Sequence, residues 1–178
     1  MRLLTDTCAA IKLVTFGNKL FASGVLKRGD LVLHPRVFNE TKKWPKFKKD
    51  LYKSELALFG QIRAAVGLRP PQADIDILET LIFSSMDELG LPIGAADREQ
   101  LVAAIHNQAE IVTNDGPFTG VAEAMDVAVH TAEQIVIEAH AQGVLTKTEI
   151  VEAKAKWAKN DEKAPSASDK AALDVICK

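Results

Sequence analysis

Four short apolar bursts punctuate this chain, and each stops on a polar or turn residue. They are "RLLT" (2–5) before Asp6, "LVLHP" (31–35), "EIVTND" (110–115) and "DVAVH" (126–130). The stretches between them carry apolar residues at helical spacing. The order reads strand, two helices, strand, several helices, strand, helix, strand, helix. Strands separated by helices pair most simply in parallel, with the crossovers laid over the sheet. The expected fold class is therefore α/β, a short central parallel sheet with helices on both faces.

Local signals sharpen that outline. Asp6 is placed to cap a helix over "CAAIKL", and residues 17–28 read as a second helix stopped by Lys27, Arg28 and Gly29. Pro35 closes the second strand, and Arg36 opens a helix over 36–44. Phe47, Leu51, Leu56, Leu58, Phe59, Ile62 and Val66 recur at helical intervals before the break "GLRPPQ". Asp74 is positioned to cap the next helix, whose apolar face holds Ile75, Leu78, Leu81, Ile82 and Met86. "GLPIG" is a loop, and residues 95–108 form a helix with Leu101, Val102 and Ile105 inward. Gly143 suits the position just past a helix over 131–143. Thr146 and Glu149 make a capping box for a helix over 146–158. The segment 160–168 is polar and predicts a flexible link to a last short helix over 168–176.

A chain of 178 residues, 47% hydrophobic and 26% charged, is long enough to bury the core of one domain with a small appendage. The formal net charge of −2 gives no global pointer to nucleic acid or to an anionic membrane. Cys8 and Cys177 stand too far apart in sequence for a zinc motif or a disulfide framework, and read as reduced thiols of a cytoplasmic protein. Asp6 interrupts the first apolar stretch, so no signal peptide is expected. No run approaches the ~20 apolar residues of a membrane span.

The carboxyl ends of the strands carry the chemistry. Asp6 follows the first strand, Asp115 follows the third, Asp97 starts the helix leading into it, and Glu40 lies on the helix after the second. Each has an ordinary reading: Asp6 as an N-cap, Asp97 as a complement to the helix dipole, Glu40 as the partner of Lys43, and Asp115 as a turn residue before Gly116-Pro117. Together they are acids that a parallel sheet gathers at one edge, where open α/β folds place their sites. Two carboxylates ~4 Å apart repel by about 4 kcal/mol at an effective dielectric of 20. Such a set is protonated in part or binds a cation, and oxygen-only ligands suit Mg²⁺ or Mn²⁺. Of the histidines, His34 and His106 fall near that edge, while His130 and His140 read as structural or exposed.

These residues resemble the PIN-domain ribonucleases over roughly residues 1–130. "LLTDT" (3–7) is similar to that family's first strand and its acid, and "VFNETKKW" to its Glu-bearing helix. Residues 92–129 resemble it most: an Asp opening a helix, a strand, Thr-Asn-Asp, a Phe three residues on, and a final strand. The resemblance implies a three-layer α/β/α PIN-like fold with extra helices. It divides the chain into a nuclease domain over 1–145, with a helical insertion at 41–73, and a C-terminal helical extension over 146–178. It implies Mg²⁺- or Mn²⁺-dependent hydrolysis of RNA, with Asp6, Glu40, Asp97 and Asp115 as catalytic metal ligands and Thr113 and Asn114 in support. The position where the family often has Asn is Cys8 here.

Toxin-type members are inhibited by an antitoxin that covers the acidic site, and many dimerise. The resemblance thus adds an antitoxin and a second copy of the chain to the expected partners. RNA is expected to bind at "TKKWPKFKKDLYK" (41–53), where Lys42, Lys43, Lys46, Lys48 and Lys49 are interleaved with Trp44, Phe47 and Tyr52. The ordinary reading of that stretch is a solvated helix face with its aromatics inward. The helix over 146–157, with Ile150 and Trp157 on one side, packs on its own domain or docks a partner. The alternative function is a non-catalytic PIN-like module that binds RNA or protein. A phosphatase-type enzyme fits less well, because "DTC" lacks the second acid of a D-x-D motif.

Overall fold

The computed structural model describes residues 1–43, 69–159 and 165–178, with the backbone alone described at 41–43. The expected helix over 47–66 and most of the 41–73 insertion lie outside the described residues. Four strands are present among the described residues: β1 (Arg2–Thr5), β2 (Asp30–Leu33), β3 (Glu110–Val112) and β4 (Val129–His130). They form one sheet in the order β2-β1-β3-β4, and every pair is parallel.

Eight helices occur among the described residues: α1 (Thr7–Val14), α2 (Pro35–Lys43), α3 (Gln72–Leu89), α4 (Ala95–Asn107), α5 (Gly116–Ala124), α6 (Ala132–Ala141), α7 (Lys147–Lys159) and α8 (Ala167–Cys177). Alternation along the strands divides the core between the two faces of the sheet. Leu3 and Val112 join one cluster with Leu13, Val136, Ile150, Trp157 and Leu173, from α1, α6, α7 and α8. Leu4 and Ile111 join the other with Ile82, Leu101, Phe118 and Val121, from α3, α4 and α5. Helices thus cover both faces, an arrangement compatible with three α/β/α layers. Val37 of α2 seals a smaller cluster against Leu33, Ile11 and Val14.

Most helix boundaries follow from their caps. Asp6 accepts from the Ala9 amide at 2.6 Å and starts α1. Thr131 and Gln134 exchange bonds in a capping box for α6, and Thr146 with Glu149 opens α7 the same way. Gly143, at φ 75°, stands just past α6. Pro35 both closes β2 and occupies the first position of α2, where its missing N–H costs nothing.

Four expectations are corrected. Residues 17–28 hold one 3-10 turn, Lys19–Phe21, in place of a helix. Gly17 and Gly24 sit at φ 67° and 73°, and Asp30 draws the Ser23 hydroxyl and the Gly24 amide to its carboxylate. The cap of α3 is Pro71, and Asp74 stands in the first turn, 3.4 Å from His106. Leu81 faces outward with Ile77, Phe83 and Leu89, while Ile75, Leu78, Ile82 and Met86 face the core. The fourth strand keeps two residues of the expected five, because Asp126 turns the chain at φ 57° after α5.

Among the described residues, no helix is long and apolar enough to cross a membrane.

Candidate functional site

Register places the acids. Thr5 of β1 pairs with Val112 of β3, so Asp6 and Thr113 leave the sheet side by side, and the Asp6 amide donates to the Val112 carbonyl at 3.0 Å. Asp6 is only 4% exposed. One carboxylate oxygen accepts from the Ala9 amide and the other from the Thr113 hydroxyl. That hydroxyl also accepts the Asp115 amide at 3.0 Å. Thr113 is therefore the joint between the two edge acids. Asp115, itself exposed, accepts from the Phe118 amide at 3.0 Å and caps α5.

Asp97 arrives from the opposite direction. It stands in the first turn of α4 and accepts from the Gly94 amide at 3.2 Å. Glu40, one helical turn along α2 from Arg36, is exposed, accepts from the Thr7 hydroxyl at 3.4 Å and lies 4.0 Å from the Arg36 guanidinium. Arg36 also pairs with Glu99 of α4.

The acids act on one another. Burial pushes the Asp6 carboxyl up to about 6; its two hydrogen bonds oppose that shift, and the charges of Asp97 and Asp115 add to it. Burial likewise raises Asp97, with Asp115 and Glu40 adding to the effect. The ordinary readings hold for three of them: Asp6, Asp97 and Asp115 each serve a helix start, and those starts lie close enough for the acids to feel one another. The positive ends of α1, α4 and α5 partly offset the negative charge collected there. Every donor is a carboxylate or hydroxyl oxygen, which suits a hard divalent ion. Among the described residues, no group of three or more His, Cys, Asp or Glu side chains is arranged to hold one.

Asn114 does not join the acids. Its amide nitrogen donates to Glu133 at 2.6 Å, and its oxygen accepts from the Ala132 amide at 3.2 Å. Glu133 in turn takes Lys12 at 2.5 Å, with side-chain exposures of 0% and 2%. Sequence reasoning missed this buried pair. A lysine inside the unbroken apolar run "AAIKLV" was the available signal, since a buried ammonium requires a partner.

His34, just after β2, is near the edge, and burial lowers its pKa. His106 is in the last turn of α4, at the far end of that helix from Asp97. His130 pairs with Glu110 at 2.7 Å, and His140 contacts the Leu145 carbonyl at 2.8 Å. Lys46, Lys48 and Lys49 lie outside the described residues, as do the side chains of Lys42 and Lys43.

No protein-family model matches this chain. No curated protein matches it either.

Proposed function

We propose that this protein is a Mg²⁺- or Mn²⁺-dependent endoribonuclease of the PIN-domain type, working at the carboxyl edge of its sheet. The observation that carries the reading is that three separate segments bring Asp6, Asp97 and Asp115 together, close enough for the charges of Asp97 and Asp115 to raise Asp6 and for that of Asp115 to raise Asp97. A divalent ion is the counter-charge that such a set favours. When bound, such an ion supplies an acidified water and positive charge at the scissile phosphate. Asp6 and Asp115 hold it, and Asp97 and Glu40 complete the acidic set. Thr113 keeps Asp6 oriented through its hydroxyl. Products are a 5′-phosphate and a 3′-hydroxyl. Lys42, Lys43, Lys46, Lys48 and Lys49 neutralise the RNA backbone.

Cleavage of a single-stranded RNA with Mn²⁺ tests the reading. Asp6→Asn and Asp115→Asn each lower the rate at least ~100-fold; unchanged cleavage in both removes the mechanism. Reversing Lys48 and Lys49 to Glu weakens RNA binding and flattens its salt dependence. The same proposal extends to a cytoplasmic toxin held by an antitoxin, or to a homodimer. Co-purification of a small partner that suppresses cleavage tests the first, and sedimentation the second.

One observation favours a second reading, a non-catalytic module that binds RNA or protein. The acids already serve as helix caps, and no trio among the described residues is arranged around an ion. Thermal unfolding with and without Mn²⁺ separates the two. A metalloenzyme gains stability with the ion, more so above pH 6 where protons no longer compete for Asp6. A module gains none.

A further inference from the structure

We propose that the buried Lys12–Glu133 pair is a positioning device for the acid edge, which it governs by clamping Asn114. The consequence for metal binding rests on the nuclease reading; the clamp itself does not.

β3 ends at Val112, so the loop that carries Thr113, Asn114 and Asp115 leaves the ladder after one last bond, from the Thr113 amide to the His130 carbonyl. Beyond that bond, side chains hold it as far as Asp115, whose carbonyl accepts the Thr119 amide at 2.9 Å. Asn114 is gripped at both ends of its amide, by Glu133 and by the Ala132 backbone. Glu133 uses one oxygen on Asn114 and the other on Lys12. Lys12 is fixed in turn from α7: the Trp157 indole donates to the Lys12 carbonyl at 3.2 Å, and its ring centroid lies 5.7 Å from the ammonium. A continuous polar chain therefore runs through the core from Trp157 to the residue between Thr113 and Asp115. It passes through Lys12, which stands on the same helix that Asp6 caps.

Stability alone does not account for the pair. A buried ion pair rarely outperforms apolar side chains of the same volume, because two charges must leave water. Its oxygens are placed to fix a neighbour, and that neighbour sits where an ångström decides whether two carboxylates share a ligand.

The test uses the full chain and two charge-balanced variants. Lys12→Met with Glu133→Gln removes both charges but keeps an acceptor for Asn114. Lys12→Met with Glu133→Leu removes the acceptor as well. The readouts are the Asn114 side-chain and Asp115 backbone amide signals by ¹⁵N NMR, and Mn²⁺ affinity by calorimetry. In the Gln variant, both signals stay within the wild-type pattern and affinity changes less than about twofold. In the Leu variant, the Asn114 signals move to the solvent-exposed position and affinity falls at least about tenfold at unchanged cooperativity of unfolding. Wild-type signals and affinity in the Leu variant overturn the proposal. If the wild-type chain binds no Mn²⁺, the nuclease reading fails, and the amide signals alone decide the clamp. If the Leu variant does not fold, Asn114→Ala cuts the chain at its last link; an unmoved Asp115 amide there overturns it too.

Discussion

Asp6 combines two roles that a single carboxylate seldom carries. It caps α1, and it is buried beside two other acids, so its folded state holds a proton more tightly than the unfolded chain does. A carboxyl raised from 3.8 to about 6 favours the fold most below pH 4, and that contribution is lost as pH climbs through 6. The expected loss is about 3 kcal/mol, at 1.36 kcal/mol per pKa unit. Urea unfolding at pH 4, 5, 6 and 7 checks it, and Asp6→Asn flattens the profile by removing the titrating group. Thr113→Val deprives Asp6 and the Asp115 amide of a partner at once, and should cost about 1–3 kcal/mol, with Thr113→Ser restoring most of it. Asp6 was legible in the sequence because it follows the first strand directly, and Thr113 entered only through the family resemblance, since the apolar burst ran on through it and the strand in fact stops at Val112. Lys12 and Glu133 were not legible, because 121 positions separate them and only the fold shows that they meet.

Helix starts are the elements the sequence announces best. Thr131 accepts from the Gln134 amide, and its hydroxyl also donates to Asp169 of α8 at 2.9 Å. Thr131→Ala should therefore destabilise by about 1–2 kcal/mol in a denaturant titration, beyond the loss of a simple exposed cap. Where elements were misread, turn chemistry had overridden hydrophobic spacing. Residues 17–28 contain enough apolar side chains for a helix, yet Phe16, Leu20 and Leu26 reach the core from turns. Leu81 was assigned inward by period alone, but α3 presents a narrower stripe to α4 and α5 than its composition suggests.

At the scale of the molecule, the C-terminal helices are part of the core they follow. Ile150, Ala153, Trp157 and Leu173 are packed with Leu3, Leu13 and Val112. Fully burying a large apolar side chain contributes about 1.5–3 kcal/mol, so removing several approaches the whole stability of a domain this size. A chain truncated after residue 145 should show no cooperative thermal transition by circular dichroism. The capping box at Thr146 and Glu149 announced the first of those helices, but not where it docks, since either face of a sheet can receive a helix. The order β2-β1-β3-β4 has one further consequence, for synthesis. β1 leaves the ribosome well before β3, with Leu3 and Leu4 destined for opposite faces of the sheet, because that inner neighbour lies more than a hundred residues downstream: Asp6 and Thr113 are 107 positions apart. At ~5–20 residues per second, the first strand waits roughly 5–20 s for the partner that completes its pairing. During that interval its unpaired inner edge is what the nascent chain offers to chaperones.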